Sequence, residues 1–164
     1  MNDQLEVLYF KVTDLWKKLC EEHSKLLDIT FDEYSLLLRS EIESVEEKTQ
    51  EKNIVIKKVN GLDKLRSALI SEVNSLFEED KVENVTDLLK VMHKYEQVRG
   101  EKHLFRFNKL LIDIIEKIQI QNKKNQLFIN KVIMNLREIR EDAVGKKSYS
   151  TYNAKGSTSI ASTP

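Results

Sequence analysis

An all-α fold, an elongated antiparallel bundle or coiled coil of about three long helices plus a short one, is what this 164-residue chain predicts. Apolar residues recur at helical spacing over long stretches. Only four glycines and one proline occur, and the proline is the last residue, so little before the C-terminus resists helix. Charged residues make up 33 % of the chain, enough to solvate the outer faces of long helices. The composition changes after Gly145, which predicts a helical domain over 1–144 and a flexible Ser/Thr-rich tail over 145–164.

The first helix is expected over roughly residues 3–28. Leu5, Leu8, Tyr9, Val12, Trp16, Leu19, His23, Leu26 and Leu27 share one face, with Cys20 beside it as a small core hydrophobe. Thr30 followed by Glu33 has the spacing of a capping box, so a joint is expected there, with a second helix presenting Phe31, Tyr34, Leu38, Ile42, Val45, Thr49 and Ile56. That seam thins through "EEKTQEKN", and the middle of this helix should be its weakest part. Gly61 leaves two readings open, a continued helix or a new one over 62–79. Thr86 reads as the cap of a short helix, "DLLKVMHKY", which Gly100 ends.

The last helix, from about Lys102 to Ala143, is the strongest signal. Leu104, Phe107, Leu111, Ile114, Ile115 and Ile118 define its face, which continues through Asn122 and Asn125 to Ile129, Val132, Ile133 and Leu136. A second stripe, Phe105, Ile112, Ile120, Leu127 and Met134, lies on roughly the opposite side. Such a helix is either central to its own core or carries a seam for a partner, and a homodimer is one such partner. The two asparagines mark where the first seam changes character, a boundary or a register device.

Composition excludes more than it assigns. Lys and Arg number 27 against 27 Asp and Glu, so no net field draws nucleic acid or an anionic membrane. No run has the ~18 apolar residues of a membrane span, and the N-terminus has no leader-like apolar core, so a soluble cytoplasmic protein without stable membrane insertion is expected. One cysteine cannot build a thiolate metal site, the glycines are isolated, and no nucleophile stands beside a base. His93 and Glu96, three residues apart, read as a solvated surface pair. No catalytic residue, metal or cofactor is therefore expected; apolar surface is what remains to function with.

"QIQNKKNQLFINKVIMNLREI" resembles the Asn-x-x-Asn-x-x-Leu segment in the long C-terminal helix of the FlgN family of flagellar export chaperones. The tail "STYNAKGST", with Tyr152 and Gly156, is similar to that family's Tyr-containing, Gly-terminated end, and the order of helices matches over nearly the whole chain. Ile29, Thr30 and Phe31 depart from the small or acidic residues usual at the first joint. The resemblance implies a cytoplasmic chaperone that binds hook-associated proteins of the FlgK and FlgL type, prevents their premature assembly and delivers them to the type III export apparatus. It places client binding on Leu127, Phe128, Val132, Met134, Leu136 and Ile139, and export-gate docking on Tyr152. Read without the resemblance, the same seam fits a self-associating coiled-coil protein or adaptor.

Overall fold

The computed structural model describes residues 2–77 and 81–155, and the side chains of 3–77 and 81–144. Among the described residues four helices follow in order, α1 Asn2–Leu38, α2 Ile42–Leu76, α3 Val85–Arg99 and α4 His103–Lys155, giving an all-α bundle of three long helices and a short one. Two compact units divide the chain, Met1–Asn122 and Lys123–Pro164, and the division falls inside α4.

The expected joint at Thr30 does not exist. "DITFDE" contains no Gly or Pro, and the Thr30 hydroxyl donates back to the Leu26 carbonyl at 2.7 Å inside an unbroken helix instead of capping a new one. The chain turns ten residues later. Ser40 takes φ 56°, the amide of Ser40 bonds to the Leu37 carbonyl, and that of Glu41 bonds to Leu36, the paired bonds of a Schellman cap. Residues 31–38 therefore keep the phase of α1, with Leu36 buried like Ile29 before it and Phe31 and Leu38 exposed; Ile42, which opens α2, is exposed too. In α2 it is Val55, not Ile56, that is buried.

Gly61 sits inside a continuous α2, so the first of the two readings holds. Between Ile42 and Ala68 only Val55 is buried. The α3 cap is Asn84 rather than Thr86: its side chain accepts from the Asp87 amide at 2.9 Å, and Asp87 in turn accepts from the Glu83 amide. Gly100, at φ 68°, ends α3 as expected.

The core gathers where all four helices meet. Leu8, Val12, Leu15, Trp16, Leu19 and Cys20 from α1 pack with Leu69 and Val73, Leu88 and Met92, and Leu104 and Leu111. Each such side chain contributes roughly 1.5–3 kcal/mol by leaving water. Polar ties then set the register. Lys11 pairs with Glu72 at 2.7 Å and Lys48 with Asp32 at 3.5 Å, so α1 and α2 are antiparallel. Asn74 makes two 2.6 Å bonds with the backbone of Val82 and so pins the approach to α3. Trp16 donates to Asn108 at 3.0 Å, and the Cys20 thiol to the Phe107 carbonyl, which hold α4 along α1.

Glu96 corrects the reading of a solvated pair with His93. The residue is 2 % exposed, and its carboxylate accepts the Tyr9 hydroxyl at 2.7 Å and the Leu104 amide at 2.6 Å, and also meets the Phe105 amide. One acidic group of α3 thus caps the otherwise unpaired N–H groups that open α4 while binding α1. Burial, and then the bond to Glu96, push the Tyr9 phenol well above its ordinary range. His93 stays at the surface against Gln97.

Candidate partner-binding surface

Helix α4 changes character along its length. In the first unit it buries Leu104, Leu111, Ile114, Ile118 and Gln121 at about one-turn intervals, the face that meets the core. Asn122 is exposed and accepts a 3.1 Å bond from Lys52, whose ammonium also pairs with Glu33 at 3.0 Å. Asn125 is different: it is only 6 % exposed. The two amides that share a seam in sequence therefore have separate environments, one tied at the surface and one buried.

In the second unit, Phe128 and Ile129 are half-buried, and from Asn130 to Val144 every side chain is exposed. Several of those are large and apolar: Val132, Ile133, Leu136 at 61 % and Ile139 at 66 % exposure. A 100° step per residue puts Phe128, Val132, Ile139 and Leu136 within an arc of about 80°. Leu127 and Met134 project from the opposite side of the same helix. The six residues expected to bind a client thus form a group of four and a separate pair.

Ile129 and Ile133 border the group of four and belong to the patch, although the family resemblance did not single them out. Their signal was the main apolar stripe itself. Lys131, Arg137, Glu138, Arg140 and Asp142 lie around the stripe with mixed charge, so no field of one sign flanks it. Helix-in-groove recognition uses this kind of i, i+4, i+8 ladder.

The second stripe is uncovered as well. Phe105, Ile112, Ile120, Leu127 and Met134 are each 50–61 % exposed, so α4 is not the central helix of a three-helix core. Tyr152 and Gly156 lie outside the described side chains. Among the described residues, no group of three or more His, Cys, Asp or Glu could hold a metal ion, and no helix is long and apolar enough to cross a membrane.

The first unit is a helical bundle with its own buried core, and the described part of the second is helix with large apolar side chains exposed. A family model described as FlgN protein matches residues 1–160, and the chain belongs to the FlgN family, which gives it a role as a flagellar chaperone. No curated protein and no solved structure matches it.

Proposed function

We propose that this chain is a cytoplasmic chaperone for hook-associated proteins of the FlgK and FlgL type, and that it covers an amphipathic terminal helix of the client with the α4 ladder Phe128, Ile129, Val132, Ile133, Leu136 and Ile139. The observation that carries this reading is the uncovered apolar stripe after Asn125, in a protein of a flagellar chaperone family. Covering the client's apolar face keeps clients from associating with one another before export, and the complex is then handed to the type III export apparatus. This task needs binding and release but no bond-making, so we assign no catalytic residue. Tyr152 is proposed to act at the export gate rather than in client binding.

Calorimetry with purified hook-associated proteins tests the site. Val132→Asp with Leu136→Asp should abolish the complex while leaving helix content and melting temperature close to wild type, because both side chains are exposed. Leu127→Asp with Met134→Asp, on the opposite face, should bind normally. Wild-type affinity in the first pair would place the client elsewhere. Tyr152→Ala should bind clients normally but lower their export in cells.

A further inference from the structure

A second exposed seam lies within the first unit, on the side of α4 away from the core. Phe105, Lys109, Ile112, Glu116 and Ile120 fall within an arc of about 80° at 100° per residue, roughly opposite the buried Leu111, Ile114 and Ile118. The three apolar members are 50 %, 50 % and 58 % exposed. Lys109 and Glu116 are exposed too, and among the described residues neither has an ion-pair partner, whereas nearby Asp113 is paired with Lys117.

The order of these five residues is self-complementary when reversed. In an antiparallel pairing of two α4 helices about an axis beside Ile112, Phe105 of each copy faces Ile120 of the other and Lys109 faces Glu116. The two Ile112 side chains meet near the axis. A two-fold dimer requires this reciprocity, residue i on j and j on i. A parallel pairing would instead set Lys109 on Lys109 and Glu116 on Glu116. The seam is about 22 Å long, four turns of helix. At its Phe105 end a groove of about 290 Å3, lined by Thr86, Leu89, Lys90, His93, Phe105 and Asn108, gives the incoming Ile120 turn a concave seat.

We propose that this face of α4 is where a second copy of the chain docks, antiparallel, through Phe105, Ile112 and Ile120, with reciprocal Lys109–Glu116 pairs setting the direction. The contact is small compared with obligate interfaces, so the dimer is a weak one that forms at micromolar concentration. It uses residues other than the client ladder, and each copy keeps its Phe128–Ile139 stripe.

Sedimentation velocity of the full chain from low to high micromolar concentration tests this. Wild type should shift from monomer to dimer, and Ile112→Asp should stay monomeric with unchanged helix content. Lys109→Glu and Glu116→Lys should each weaken association by about tenfold, since each change turns two attractive pairs into repulsive ones. The double variant, with the charges exchanged, should recover most of the loss. A wild-type chain that stays monomeric throughout, a dimer indifferent to Ile112→Asp, or a double variant no better than the singles would overturn the proposal.

Discussion

Ser40 and Gly61 hold each other's natural places. Ser40 is the one non-glycine residue with positive φ among those described, at the left-handed position of the α1 cap, where a Cβ is unfavourable. Gly61 is in mid-helix and exposed, and a Cβ built on it meets nothing within 4 Å. Ser40→Gly should therefore raise stability by about 0.5–1 kcal/mol through relief of strain, and Gly61→Ala by about the same through lower unfolded-state entropy and better helix propensity. Urea denaturation of the two variants would measure both. A loss in either would mean that the residue makes an interaction beyond its backbone role. At this scale the sequence is only partly readable: Gly100 announces its own cap, but nothing in "LLRSEI" marks Ser40 as a turn.

Among the elements, α4 divides most sharply. Its first part is held by buried side chains every turn, while its part from Asn130 to Val144 has none. An isolated helix of that length is marginal in water, so its backbone bonds should open without global unfolding. Hydrogen exchange should show strong protection at Leu111 to Ile118 and weak protection after Asn130, rising in that segment when a client binds. Equal protection along the whole helix would mean that the ladder is already covered in the free protein. The start of α4 and the first 28 residues of α1 were readable, because the apolar period runs uninterrupted there, but α4 continues to Lys155, past the expected end near Ala143. The misplaced joint came from reading Thr30 and Glu33 as a cap, when a threonine on a buried helical face can serve its hydroxyl by bonding back one turn.

For the molecule as a whole, the Tyr9–Glu96 pair matters most, because α1, α3 and the start of α4 meet on it. The Tyr9 phenol ionises above its ordinary pKa of 10.0 in the folded protein, so the folded state holds this proton more tightly than the unfolded one. Its contribution is complete below about pH 10 and is lost as pH rises above that toward the folded value. Burial raises Cys20 and Tyr95 in the same direction. Melting temperature should therefore fall steeply above about pH 10. Tyr9→Phe should melt lower at neutral pH, by the loss of a bond to a charged group worth roughly 1.5–3 kcal/mol, yet fall less steeply in alkali. An identical alkaline slope in the variant would remove Tyr9 from this account.

By itself the sequence determined the helical class and the long α4 with its two apolar stripes, because these depend on local period and composition. Only the tertiary structure decided which stripe is covered, that Asn125 is buried while Asn122 is tied to Lys52, and that Glu96 is a buried cap. The physical reason is that periodicity shows which residues share a side of a helix, whereas burial depends on what the rest of the chain brings against that side.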